Sequence, residues 1–279
     1  MIPPIARRFV AGDTSASALS HARGVNDEGI SVILNRLGEH HTTPEDVESD
    51  AAAYRSLADA IDRRGLDACL SIKPTQVGLD LSADRYVETL RSVVEYASDR
   101  DVFVWCDMEG SATTDDTLDA FREIAAEYPW SVGQCLQSNL KRTRADLEAL
   151  LAVPGRIRIV KGAYDEPSSI AYVDRERVDE AYRRDVEFLL SNRDRGVAVG
   201  THDPAMIGLA RRLADEHGTD YQIQMLMGVR EDAQRDLAEQ GVDVAQYAPY
   251  GTRWADYFWR RVRERRANAT FAIRAILGR

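Results

Sequence analysis

Near the C-terminus, Tyr247-Ala248-Pro249-Tyr250-Gly251 is followed by Tyr257, the adjacent pair Arg260 and Arg261, Glu264 and Asn268 in one helical pattern. Two guanidinium groups one turn behind a tyrosine can grip a small carboxylate through planar, forked hydrogen bonds. Arg260 and Glu264 are also an i,i+4 ion pair of the kind common on a solvated amphipathic helix. Other segments must decide between the two readings.

The first such segments hold lysine. Of 36 basic residues, 33 are Arg and only Lys73, Lys141 and Lys161 are Lys. Two of the three, Lys73 and Lys161, fall inside strand-like runs, which makes them site candidates. A formal net charge of -10 argues against a nucleic-acid surface. An acidic, lysine-poor composition also suits a protein kept soluble in high salt. The chain is 44% hydrophobic and 29% charged, which reads as soluble and globular, and no apolar run approaches the roughly 20 residues that cross a bilayer. Arg7 and Arg8 follow only a few apolar residues, so the start does not read as a secretory signal and a cytoplasmic protein is expected. Cys69, Cys106 and Cys135 are odd in number, widely spaced and set in apolar runs, which predicts buried free thiols. No metal site is expected, because there is no HExxH pattern and neighbours such as Glu39, His40 and His41 point apart.

These residues need elements to position them. Short apolar runs at 29–34, 66–73, 102–108, 131–137, 157–163, 197–201, 221–226 and 242–247 alternate with helical patterns at 43–64, 83–99, 114–127, 143–152, 176–192, 203–217, 229–240 and 252–275. Eight such units in 279 residues predict an α/β fold, a (βα)8 TIM-type barrel, and a phosphate-gripping GxGxxG is absent. No linker or low-complexity segment divides the chain, so residues 1–279 read as one catalytic domain with a short N-terminal helix and a C-terminal helix over the barrel mouth.

Barrel enzymes work at the C-terminal ends of their strands, and here those ends are chemical. They carry Arg36 and Glu39, then Lys73, then Asp107, Met108 and Glu109, then Gln137, then Arg158, Lys161 and Tyr164, then Thr201 and His202, then Tyr247. Cations outnumber carboxylates and no nucleophile elbow is present, which implies an anionic guest rather than hydrolysis. Gly162 and Ala163 leave the backbone open to a planar ligand, and a flavin fits that gap.

At this point the chain resembles the monofunctional proline dehydrogenases of the proline oxidase family, FAD-dependent (βα)8 enzymes. The resemblance rests on RFVAG at 8–12, LGE at 37–39, SIKPT at 71–75, DME at 107–109, LQS at 136–138, RIVKGAY at 158–164, THD at 201–203 and the signature from Tyr247 to Asn268. RIVKGAY together with YAPYG and the spaced Arg pair, Glu and Asn is specific, whereas THD or LGE alone means little.

The resemblance implies that Arg260, Arg261 and Lys73 bind a substrate carboxylate. Tyr164, Leu226 and Tyr247 would pack on the proline ring, and Glu39 would gate the site by pairing with Arg260. Arg158 would stand at the reactive edge of the flavin, with Asp107 orienting the arginines. Met108, Gln137, Lys161, Gly162, Ala163, Thr201, His202 and Glu264 would contact FAD. The implied reaction is hydride transfer from C5 of L-proline to flavin N5, giving Δ1-pyrroline-5-carboxylate in the first step of proline catabolism. The implied electron acceptor is a quinone, which raises peripheral contact with the inner face of the membrane. Oligomeric state is not legible. Two positions depart from the family pattern: Asn139 where an aromatic residue is usual, and Asn35 where an Asp often precedes LGE. Two other functions compete on the same barrel, a Schiff-base aldolase or lyase using Lys161 and an amino-acid-binding barrel without turnover.

Overall fold

Strand and helix alternate because β-branched runs such as SVILNR, RIRIV and VAVG are punctuated by strong helix start and stop signals. Helix α3 (Pro44–Arg64) opens on Thr43, whose hydroxyl accepts the Asp46 N–H at 3.2 Å, has proline in its first turn and stops at Gly65 with φ 56°. Helix α8 (Pro204–His217) repeats the plan with Asp203, Pro204 and Gly218.

The computed structural model describes residues 4–255. Strands β1 (Ser31–Arg36), β2 (Ala68–Ile72), β3 (Val104–Cys106), β4 (Val132–Gln137), β5 (Arg156–Val160), β6 (Val197–Gly200), β7 (Tyr221–Leu226) and β8 (Val244–Tyr250) form a closed parallel barrel in sequence order. Closure is by β8 on β1, from Ser31 opposite Ala245 to Arg36 opposite Tyr250. Crossovers run through α3, α4 (Ala83–Ser98), α5 (Thr114–Glu127), α6 (Thr143–Leu150), α7 (Arg175–Asn192), α8 and α9 (Glu231–Glu239). The expected (βα)8 barrel is therefore observed, while the closing helix expected at 252–275 lies outside the described residues.

Four expectations need correction. The N-terminal part has two helices, α1 (Pro4–Arg7) and α2 (Ser15–Asn26), in place of the one short helix expected. Thr14 and Ser17 form the capping box that starts α2, and α2 packs on β1 and β8 across the closing seam. Strand β3 is shorter than 102–108, since Asp101 takes a left-handed φ of 55° and Val102 is still bonded to the helix before it. Strand β5 stops at Val160, before Lys161-Gly162-Ala163, because Gly162 has φ 114° and cannot continue a ladder. Strand β8 continues through Pro249 to Tyr250, beyond its pairing with β7 at Leu226 and Tyr247, so past that point it is an edge on one side and tolerates proline.

The main apolar core lies between strands and helices, with Tyr54, Tyr86, Phe121 and Tyr182 among its fully buried side chains. A smaller cluster of Ile33, Trp105, Ala198 and Ala245 fills the barrel itself. Trp105 is edge-on to Phe103 at 5.1 Å between ring centres, which makes the barrel interior a packed apolar plug rather than a pore.

Candidate active site

Asp107, just past β3, is the centre of the mouth. Its Oδ1 accepts from Ser71 Oγ at 2.7 Å and from Arg158 Nη2, and its Oδ2 accepts from Tyr247 Oη at 2.8 Å. Strands 2, 3, 5 and 8 thus converge on one carboxylate. Arg158 is 3% exposed, 4.9 Å from the centre of the Trp105 ring and 3.3 Å from Gln224 Oε1. Burial alone pulls its pKa down, but Cys135, Asp107 and Tyr247 more than offset that and hold it above the ordinary arginine value. It is a permanent buried cation with five N–H donors, so its bonds to Asp107 and Gln224 leave others for a ligand. Leu226 stands opposite Tyr247 in register, which places the expected apolar wall beside the tyrosine.

Lys73, on the loop after β2, donates to Glu39 Oε2 at 2.9 Å. Arg260, Arg261 and Glu264 lie outside the described residues, and with them the expected Glu39–Arg260 gate; within the described residues Glu39 pairs with Lys73. From this pair a belt of hydrogen bonds runs round the mouth. His40 N–H donates to Thr75 Oγ1 at 3.0 Å, and Thr75 binds Glu109 through its N–H at 2.8 Å and its hydroxyl at 2.9 Å. Gln137 Nε2 donates to Glu109 O at 2.9 Å and Gln137 Oε1 accepts from Ala163 N–H at 3.2 Å. Burial, the largest effect on it, raises the Glu109 pKa. Gln137 is thus primarily a strap between loops.

The remaining candidates line the far side. Lys161 Nζ lies 2.5 Å from Asp179 and 3.4 Å from Asp203. His202 Nε2 accepts the Leu226 N–H at 2.7 Å, which puts the ring proton on Nδ1. Thr201 Oγ1 accepts from Asp203 N–H at 3.1 Å. Met108 is buried in the core, Tyr164 is half-buried, and Gly162 and Ala163 are exposed at the mouth. Gly162 has a reason for being glycine besides ligand access: a Cβ there would lie 2.1 Å from Asn139 Oδ1. Gly162→Ala is therefore expected to lower stability by about 1–3 kcal/mol, from positive φ and overpacking together, read as a fall in melting temperature.

These residues fit a flavin. Among the described residues the Asn139 Oδ1 acceptor is buried without a partner, directly beside the exposed backbone of Gly162 and Ala163. Buried acceptors ordinarily find donors. Together with Arg158, this makes a polar cradle above β4 and β5 for a planar, hydrogen-bonding ring system.

Ser71 and Thr75 stand in the SIKPT segment without a role assigned to them from sequence, and Gln224 is not singled out there at all. Gln222 and Gln224 do carry a signal, two amides at strand spacing in YQIQML, which places both on one strand face. The two imidazoles after Glu39 face different carboxylates, His40 toward Asp80 and His41 toward Asp50, as their sequence adjacency implies. Cys106 and Cys135 are buried free thiols and Cys69 is half-buried.

A parallel barrel with a buried arginine–aspartate centre and a lysine at its mouth defines a (βα)8 oxidoreductase better than a lyase, because Lys161 sits between carboxylates rather than in the desolvated or cation-flanked setting of a Schiff-base amine. The profile described as Proline dehydrogenase matches residues 18–274, and the chain belongs to that family of flavin-dependent oxidoreductases. It is 34% identical over 275 residues to Proline dehydrogenase 1 of Bacillus subtilis subsp. natto, covering 98% of this chain and 90% of the relative. It is 35% identical over 280 residues to Proline dehydrogenase of Deinococcus radiodurans, again covering 98% and 90%. In fold it is similar to proline utilization A of Bdellovibrio bacteriovorus inactivated by N-propargylglycine, with a TM-score of 0.86 and 21% identity over 94% of this chain and 32% of that one.

Proposed function

We propose that this chain oxidises L-proline to Δ1-pyrroline-5-carboxylate with FAD as its cofactor and a quinone as its electron acceptor. The observation that carries the reading is the convergence of Ser71, Arg158 and Tyr247 on Asp107 beside Lys73. Bound flavin supplies the two-electron acceptor for oxidation of the C5–N bond of proline.

The protein's own residues do the rest. Lys73, with Arg260 and Arg261, holds the carboxylate of proline and so fixes which face of the ring is presented. Tyr247 and Leu226, adjacent in register, form an apolar wall that orients the ring, and Tyr164 covers it. Arg158, kept charged by Asp107, offers donors where negative charge develops on the cofactor. Lys161, Gln137, Thr201, His202, Met108, Gly162, Ala163 and Glu264 form the cofactor side. Of these, Lys161 has an ammonium suited to the phosphates.

The visible spectrum of the purified protein tests this. The expected result is a flavin band that bleaches when L-proline is added without oxygen and returns on adding a soluble quinone. A flavin that stays oxidised with proline rules out the substrate, and a protein that binds no FAD rules out the whole reading.

A further inference from the structure

Asp50 stands in the second turn of α3, in a helix stretch whose charged composition reads as a solvated face. Yet it is buried with Val47, Tyr54, Leu57 and Ile61, residues spaced 3, 4, 3 and 4 apart along one apolar stripe. A carboxylate at such a position must be fully satisfied to be tolerated. Three donors satisfy it: Arg36 Nε at 2.7 Å on Oδ1, and His41 Nε2 at 2.8 Å and Gln76 Nε2 at 2.6 Å on Oδ2. A carboxylate only accepts, so the His41 proton facing it is on Nε2.

The donors are not randomly placed. Arg36 and His41 bracket residues 37–40, the loop that carries Glu39, and Gln76 lies just past Lys73 and Thr75. Gln76 Nε2 also reaches Arg36 O at 3.1 Å, and its Oε1 accepts from Tyr54 Oη at 2.9 Å. Gly38 passes so close that a Cβ on it would lie 3.0 Å from Asp50 Oδ2 and 2.9 Å from Gln76 Nε2. The loop is therefore pinned at both ends by one buried carboxylate and passes close to it at Gly38, while its tip presents Glu39 to Lys73.

We infer that Asp50 is a positioning residue for substrate binding: it fixes the Glu39 loop against the Lys73 loop and so sets the place of the Lys73 ammonium. It touches neither substrate nor cofactor, and it acts through Glu39. The inference rests on the proposed proline oxidation, because Lys73 is there the carboxylate-binding group.

The test is steady-state kinetics of the full-length FAD-loaded enzyme on L-proline, with wild type, Asp50→Asn, Glu39→Ala and the double variant. Asparagine keeps the shape but presents an NH2 to donors already in place. The expected result for Asp50→Asn is a KM raised about tenfold with kcat within about twofold, and a double variant no worse than Glu39→Ala alone, since interacting residues are non-additive. A folded Asp50→Asn enzyme with unchanged KM overturns the inference, and so do effects that multiply fully with those of Glu39→Ala. If Asp50→Asn does not fold, His41→Leu removes one of the three contacts and is expected to raise KM about threefold; an unchanged KM there overturns it. Wild type inert toward proline overturns the proposed function and this inference together, whereas an active wild type with indifferent variants overturns the inference alone.

Discussion

Asp107→Ala is expected to lower kcat for L-proline by about a hundredfold and to remove about 3–5 kcal/mol of stability, the range seen when one partner of a buried ion pair is deleted. The reason is the burial of Arg158, whose side chain is 4% exposed against 14% for Asp107. Deleting the aspartate leaves a permanent cation in the barrel without its carboxylate counter-charge, supported by neutral groups such as Gln224 and Cys135. It also takes away the acceptor to which Ser71 Oγ and Tyr247 Oη both donate. Arg158 then loses the carboxylate that aims it, and a misplacement of about 1 Å near the reacting atoms costs on the order of a hundredfold in rate.

Two comparisons separate charge from shape. Asp107→Asn keeps the volume and one acceptor oxygen but turns an N–H toward donors, so kcat should fall nearly as far while less stability is lost. Tyr247→Phe removes a single hydrogen bond to the same carboxylate and should cost about 1 kcal/mol of stability. Thermal melting and steady-state kinetics on the three variants read both quantities. A fully active Asp107→Ala enzyme would end the assignment of Asp107 and Arg158 to the reaction.

How much of the fold and site is legible in the amino-acid sequence depends on the range of the interaction. The barrel is readable because the strands are short, largely apolar runs and several helices have their own start and stop signals, as at Thr43-Pro44 and Asp203-Pro204. The overrun at β5 has a local cause as well, since a positive φ at Gly162 ends the strand although the residue pattern continues. What strand ends do not reveal is which of them meet. Tyr247 and Asp107 are 140 residues apart, and Arg158 and Asp107 are 51 apart, so only barrel closure brings them together. Glu109 reads as part of a motif and proves to be a clamp on Thr75. Asp50 is hidden by the charges around it, although its place in the apolar stripe of α3 is open to a careful count. Polar residues at core spacing are where such structural devices are to be sought.

Lys73→Met is expected to raise KM for L-proline by about 10- to 150-fold, the equivalent of the 1.5–3 kcal/mol carried by a hydrogen bond to a charged group. Lys73 is buried to the point of 8% exposure, but its ammonium has three donors and Glu39 Oε2 takes one at 2.9 Å. The others suit a substrate carboxylate arriving at the mouth. Methionine keeps most of the volume and apolar stem, so packing changes little. Glu39 loses the Lys73 ammonium, but at 23% side-chain exposure it remains in contact with water, and the stability loss should be smaller than for Asp107. Because the carboxylate is held alike in the substrate complex and the transition state, the loss should fall on KM while kcat changes by no more than a few-fold. A large fall in kcat with an unchanged KM would move Lys73 from binding to chemistry and would require a different account of how proline is held.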